Sequence, residues 1–143
     1  MKRKILNAVT KQIDKTFGYE RIFADEVEQG AKVPYALVVA EASPRVKKAG
    51  DRYEETTTIS VIIEIKKSAD MFDELDNIGS QLEEALEYIT LKDGDKLRGD
   101  NFHVVIQEGY IDFTVDYKYF IRKIKTAEET MQIMAANVNV VAE

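Results

Sequence analysis

The hydrophobic positions of this chain follow two different periods, which predicts both helices and strands. Near the N-terminus, apolar residues recur at helical spacing with lysine and aspartate between them. These residues are Ile5, Leu6, Val9, Ile13 and Phe17. Gly18 follows directly, and glycine is common just past a helix end. We therefore predict an amphipathic helix that ends near Gly18.

A second helical stripe begins after Ser68, a residue type suited to the N-cap. Its apolar members are Phe72, Leu75, Ile78, Leu82, Leu86 and Ile89. The stripe predicts a helix to about Ile89, and the glycines and charges of residues 90–100 predict a loop after it.

Strands are predicted over residues 21–24, 35–41, 52–65, 101–107 and 109–123. Residues 35–41 are nearly continuously apolar, which suggests cover on both faces, whereas the three later strands alternate apolar and polar residues. The last of these places apolar and aromatic side chains on one face and Asp112, Thr114, Asp116 and Lys118 on the other. Two of the strands exceed the usual five or six residues, so we expect them to project beyond the packed body. Residues 53–58 carry little apolar content and suggest an exposed hairpin arm.

The order of elements predicts an α+β domain with the pattern α-β-β-β-α-β-β-α. We expect a mostly antiparallel sheet of about four or five strands, with the two main helices on one face. Residues 126–129, Thr-Ala-Glu-Glu, form a capping box that predicts a short C-terminal helix to about residue 136. The predicted organisation is one domain over residues 1–125, then this helix and an extended tail over 126–143.

Composition narrows the classes of function. The 143 residues suit one domain, and the absence of cysteine excludes disulfides and favours a reducing compartment. No apolar run is long enough to span a bilayer, and polar residues interrupt the N-terminal segment too often for a signal peptide. The formal net charge of −6 argues against nucleic acid as a ligand.

Residues for catalysis are not recognisable. His103 is the single histidine, and without cysteine or a second histidine it does not supply a typical zinc site. The paired acids, such as Glu54 and Glu55, are adjacent and point to opposite faces of a strand. There is no phosphate loop, nucleophile motif or dinucleotide fingerprint. We predict that the protein is not an enzyme and uses no cofactor or metal; its seven tyrosines instead suit an interface.

Three segments resemble the tail terminator proteins of long-tailed phages and prophages of Gram-positive bacteria: ADEVEQGAKVPYALV, GDRYEETTTISVIIE and LRGDNFHVVIQEGYIDFTVDYKYFIRK. The most specific positions are Glu28-Gln29-Gly30 with Pro34, Gly50-Asp51-Arg52-Tyr53, and Arg98-Gly99 with Phe113, Val115, Asp116 and Tyr117. The resemblance covers nearly the whole chain up to about Lys123.

The resemblance implies a small α+β subunit that forms a hexameric ring with itself. Such a ring closes the head-proximal end of the tail tube, stops tube growth and offers a platform to the head connector; in contractile tails it also engages the sheath. The implied partners are therefore other copies of the chain, the tail tube protein, the connector and the sheath, with DNA only as passing cargo and no membrane. The implied location is a virion or phage-tail-like particle assembled in the bacterial host cytoplasm.

On this hypothesis, several charged and tyrosine residues are candidates for the subunit or tube interface. They are Arg45, Lys47, Lys48, Arg52, Tyr53, Glu54, Glu55, Asp112, Asp116, Lys118 and Tyr119. Asp25, Glu26 and Glu28 are candidates for an acidic lumen or rim.

Three interpretations of the charged strand face remain open: a channel wall that repels DNA, a contact with a neighbouring subunit, or a solvated surface. The rival functions are another head–tail joining or tail assembly protein and, with less support, a small ligand-binding domain or enzyme.

Overall fold

The computed structural model describes residues 1–43, 45–123 and 131–135. It contains two helices, α1 (Lys2–Phe17) and α2 (Met71–Leu86). The strands are β1 (Ile22–Ala24), β2 (Tyr35–Ala42), β3 (Val46–Lys47), β4 (Arg52–Glu64), β5 (Tyr88–Thr90), β6 (Lys96–Gln107), β7 (Tyr110–Lys123) and β8 (Met131–Ala135). The prediction of an α+β fold is confirmed.

The eight strands form one mixed sheet, in which the main path runs β1-β2-β4-β7-β6-β5. The pair β1–β2 is parallel and the other pairs are antiparallel. Two short strands extend the sheet beside this path, β3 against β4 and β8 against β7. The sheet is therefore larger than the four or five antiparallel strands predicted.

Both helices pack on the same side of the sheet and form a single core with it. The α1 residues Ile5, Leu6, Val9 and Ile13 are buried, as the N-terminal stripe predicts. Alternate residues of the central strands meet them from below, namely Ile59, Val61 and Ile63 on β4 and Ile111, Phe113, Val115, Tyr117 and Tyr119 on β7. The prediction that alternation in the last long strand marks one core face is confirmed.

The predicted end of α1 is confirmed, whereas the predicted start of α2 is not. Gly18 ends α1 in the left-handed conformation, with φ of 66°, and its N–H donates to the Asp14 carbonyl at 2.8 Å. α2 begins at Met71, so the predicted capping by Ser68 is wrong: the N-cap residue is Asp70, without a side-chain cap bond. Phe72 is 53% exposed, since Met71 occupies the core position instead.

The C-terminal part of the chain departs most from the prediction. Met131–Ala135 forms strand β8, where a helix was expected; residues 124–130 and 136–143 lie outside the described part. β8 pairs with Tyr119–Lys123, the end of β7 that runs past β6. A strand there satisfies backbone groups that β7 leaves open on that side, which outweighs a capping motif of modest local energy.

Two further boundaries differ for a similar reason. α2 ends at Leu86 rather than near Ile89, because residues 88–90 form β5. β6 begins at Lys96, inside the predicted loop, since Lys96–Arg98 pairs with β5. None of the described helices has the length and apolar character that crossing a membrane requires.

Candidate assembly surfaces

The face of the sheet opposite the helices is uncovered in the described part of the chain. The predicted residues Glu54, Asp112, Asp116 and Lys118 all lie on it, because they alternate with core residues along β4 and β7. Three other predicted residues lie on the helix side: Glu55 and Tyr119 are direct cross-strand partners there, and Tyr53 lies opposite Ile121. The structure thus divides the predicted set between two environments.

Asp116 is held on the open face by bonds from its own subunit. Its carboxylate accepts a hydrogen bond from the Thr58 hydroxyl at 2.6 Å and another from the Asn101 amide at 3.0 Å. Asn101 reaches it from a β-bulge, where its φ is 54° and the register between β6 and β7 shifts. Asp116 therefore links the three strands β4, β6 and β7 by hydrogen bonds. Apart from the tolerance of asparagine for positive φ, nothing in the sequence indicated this role.

Asp112, unlike Asp116, lies between apolar side chains on the open face. Its cross-strand neighbours on the open face are Ile62 on β4 and Val105 on β6, both apolar. One carboxylate oxygen, Oδ1, is buried and has no hydrogen-bond partner among the described residues. A buried acceptor without a donor destabilises a fold, so Asp112 Oδ1 is a position where a donor from beyond the described residues would be stabilising.

The far end of the open face is basic. The Arg52 guanidinium lies 4.8 Å from the centroid of the Phe120 ring, a cation–π contact between β4 and β7. Lys118 lies one row away, and the exposed Lys47 and Lys48 belong to the adjoining strand β3 and the turn after it. The basic residues predicted from the loop sequence are thus gathered at one corner of the sheet.

A polar cluster anchors this corner to the body. Tyr119 is fully buried, and its hydroxyl contacts both the Glu55 carboxylate and the Thr57 hydroxyl, the latter at 3.1 Å. Glu55 also accepts a hydrogen bond from Arg45 Nε at 2.7 Å. Burial, followed by the bond to Glu55, raises the pKa of Tyr119 above its ordinary value, so its hydroxyl stays protonated and acts as a donor. Residues 53–58 are therefore not an unsupported arm.

The acidic segment after β1 lies away from these residues. Asp25, Glu26 and Glu28 are exposed, and Asp25 forms an ion pair with Arg3 at 3.0 Å. β1 is the edge strand of the sheet beyond β2 and β4, so the structure does not bring this segment together with Asp112 or Asp116. Its assignment to an acidic lumen or rim stays a prediction, based on exposure and charge.

A different acid–tyrosine contact closes the opposite end of the open face. The Tyr35 hydroxyl on β2 donates to the carboxylate of Glu64 on β4. That hydrogen bond, together with partial burial, raises the pKa of Tyr35 to about 12. The contact was not predicted, although Tyr35 and Glu64 are direct cross-strand partners.

The surface grooves in the described part of the chain are lined mostly by polar side chains of α1 and α2. A groove of about 820 Å³ runs between α1 and the residues that follow β5, lined on the α1 side by Lys4, Lys11 and Lys15. Within the described residues, no three histidine, cysteine or acidic side chains come together as metal ligands would. His103 is exposed on β6, and Thr114 approaches only its backbone carbonyl.

The match to a protein family is the comparison that bears on the role of this chain. Residues 4–130 match the model of a family described as phage tail terminator protein. No curated protein matches the sequence. One similar solved structure, of a protein without a descriptive name, has a TM-score of 0.45 and 8% identity, covering 87% of this chain and 94% of its own.

The family match spans both helices and strands β1 to β7, including the three segments whose resemblance is described above. Tail terminators are structural components of the virion. This chain belongs to the phage tail terminator family, and its role lies in the structure and assembly of phage tails.

Proposed function

We propose that this protein assembles with copies of itself into a ring that caps the head-proximal end of the tail tube. The ring stops tube growth and gives a platform to the head connector, and in a contractile particle also to the end of the sheath. The family match over residues 4–130 carries the proposal.

The physical need for such a cap follows from the tube. Tube subunits stack head to tail, and a heterologous axial contact does not close on itself. Growth continues while free subunits and an exposed end are present. A ring that matches the tube on one side, and offers no further tube-binding surface on the other, ends elongation.

The charge of the subunit suits a passage for DNA. The formal net charge is −6, and Glu54, Asp112 and Asp116 lie on the uncovered sheet face. Carboxylates on a channel wall repel phosphates, which keeps passing DNA from adhering. We propose the part of the open face around Asp112 and Asp116, away from the basic corner, as that wall. Glu54 lies at the basic corner beside Arg52, and Glu55 faces the helix side, so neither is part of it.

Tail length in a deletion strain tests the proposed function. Removing the gene is expected to give tubes of uncontrolled length and no joined particles, while the tube and baseplate proteins still fold. Adding purified protein to growing tubes should stop elongation, with rings at the capped ends visible by negative-stain microscopy. Tails of normal, uniform length that join heads would contradict the proposal and favour a different head–tail joining role.

A further inference from the structure

The sheet has two unlike lateral edges on opposite sides of its central strand pair. β3 pairs with β4 on the side away from β7, and β6 pairs with β7 on the side away from β4. β5 covers only Lys96–Arg98 of β6, so residues 101–107 have no strand partner on their outer side within the described chain. An unpaired strand edge is a template for another strand.

The open edge of β6 is apolar, which is unusual for an exposed edge. Val104 and Val105 are 39% and 38% exposed and point to opposite faces of the sheet. Natural edge strands normally carry lysine, proline or a strong twist to prevent association. A long edge with two exposed valines therefore marks a surface that is covered in the assembled protein.

The helix flank beside this edge is acidic. Asp76, Glu83 and Glu87 share one side of α2, at intervals of seven and four residues. A shallow groove between α2 and β6 is lined by Ser80, Glu83, Glu84, Glu87 and Phe102. An arriving segment would meet valines at the strand edge and carboxylates along the helix.

The β3 corner has the complementary properties. Val46 is 52% exposed, and Lys47 and Lys48 follow it with exposed side chains. Neither lysine takes part in an ion pair with any residue that the structure describes. β3 is itself an edge, since β4 is its sole strand partner in the described ranges. The β3 arm, residues 46–48, therefore offers an apolar side chain, two cations and open backbone groups.

We propose that the β3 arm of one copy docks along the β6 edge of the next copy, with Lys47, which lies on the helix side of the sheet, facing the acids on α2 and Lys48 adding positive charge at the same corner. This contact deepens the ring proposed above and rests on it. It joins two different patches on opposite edges of the same sheet, so it is heterologous and repeats head to tail, as closure of a ring requires. Pairing like edges would instead place lysine against lysine, or carboxylate against carboxylate.

Engineered cysteines test the contact directly, because the natural chain has none. A chain carrying both Val46→Cys and Val105→Cys should form, on oxidation, a ladder of cross-linked oligomers, both in concentrated solution and on capped tubes. Each single variant should give at most traces of dimer. The control joins Val33→Cys with Val105→Cys and should give no ladder, since Val33, which is 37% exposed against 52% for Val46, lies in the loop before β2.

Charge exchange gives an independent measurement. Reversing Lys47 and Lys48 to glutamate should weaken self-association about tenfold, as should reversing Glu83 and Glu87 to lysine. Combining all four substitutions should restore it. Reversal of Lys11 and Lys92, which are exposed and line the groove between α1 and the residues after β5, is the control and should have little effect. Sedimentation velocity measures association, and circular dichroism checks that each variant folds.

The outcomes separate this contact from the proposed function. If rings cap tubes but neither the ladder nor the charge rescue appears, the contact is wrong and the capping role stands. If tubes are not capped, the capping role fails, and the ladder in concentrated solution still decides the contact. A Val46→Cys single variant that dimerises as efficiently as the double variant cross-links would overturn the head-to-tail arrangement.

Discussion

The Tyr119 hydroxyl donates a hydrogen bond to the Glu55 carboxylate across the β4–β7 pair, although Tyr119 is fully buried and Glu55 retains only 13% of its side-chain exposure. Arg45 reaches the same carboxylate from the loop before β3. A single acid thus connects the loop, the long strands and the end of the core. The β3 arm depends on this connection for its position.

Replacing Tyr119 by phenylalanine tests that connection. The change keeps the ring but removes the donor to Glu55, and a hydrogen bond to a charged group is worth roughly 1.5–3 kcal/mol. We expect the free energy of unfolding to fall by about that amount, measured by urea denaturation. Tyr110→Phe, at an exposed tyrosine on the same strand, should change it by much less. Equal effects would show that the buried hydroxyl contributes nothing specific.

The stability of the protein should fall in acid partly because of Glu55. Its burial alone raises the pKa, but the hydrogen bonds from Tyr119 and Arg45 outweigh burial, so the pKa of Glu55 lies below its ordinary value. A carboxyl with a lowered folded-state pKa stabilises the fold above its unfolded pKa, near 4.3, and this contribution disappears as the pH falls through the folded value.

Glu55→Gln measures this term. The variant should be less stable than the natural protein at pH 7, and the difference should shrink as the pH falls below about 4. Unfolding curves at several pH values give the comparison. Glu41→Gln, at an exposed glutamate on β2, serves as the control and should show little difference at any pH.

Replacing Asp112 by valine should stabilise the free subunit but weaken its assembly on tubes. Because its Oδ1 is buried without a donor among the described residues, Asp112→Val should raise the stability of the free subunit by about 1 kcal/mol. Valine also suits a strand position between Ile62 and Val105. If the open face serves the assembled particle, the same variant should cap tubes less well. Thr114→Val, the next position on that face, is the control. A less stable Asp112→Val subunit would mean that the oxygen has a partner.

Gly99 should tolerate no side chain. A Cβ there would lie 2.7 Å from the Leu86 carbonyl oxygen and 2.7 Å from a Val115 methyl, and the Gly99 N–H already donates to the Glu87 carbonyl at 2.6 Å. Gly99→Ala should therefore destabilise the fold by roughly 1–3 kcal/mol, as overpacking does. In Gly79→Ala the added Cβ meets the flexible end of Ile111 at 3.1 Å, and the loss should be smaller. Thermal unfolding distinguishes the two.

Local periodicity in the sequence predicted the elements that bury one continuous face. The predicted bounds of α1, β2, β4 and β7 agree with the observed bounds within a few residues. The apolar stripe of a helix and the alternation of a strand can both be recognised from consecutive residues. The same reasoning separated the open face of β7 from its core face. The resemblance also singled out Gly99, and the structure supplies the physical reason: the α2 end and a core valine leave no space for a side chain.

Features that depend on contacts between residues distant in the sequence were decided by the tertiary structure alone. A capping box favoured a helix near residue 131, but the free edge of β7 offered backbone hydrogen bonds and made Met131–Ala135 a strand. Asp112 and Asp116 are equivalent in the alternation, yet Asp116 accepts from Thr58 and from the bulge at Asn101, while Asp112 Oδ1 has no donor among the described residues. Glu55 and Tyr119 were both predicted as interface residues, and they form a cross-strand pair on the helix side in which Tyr119 is buried. Hydrogen-bond partners and burial are set by strand register and by what packs above each strand, and neither is encoded in the local period of a single segment.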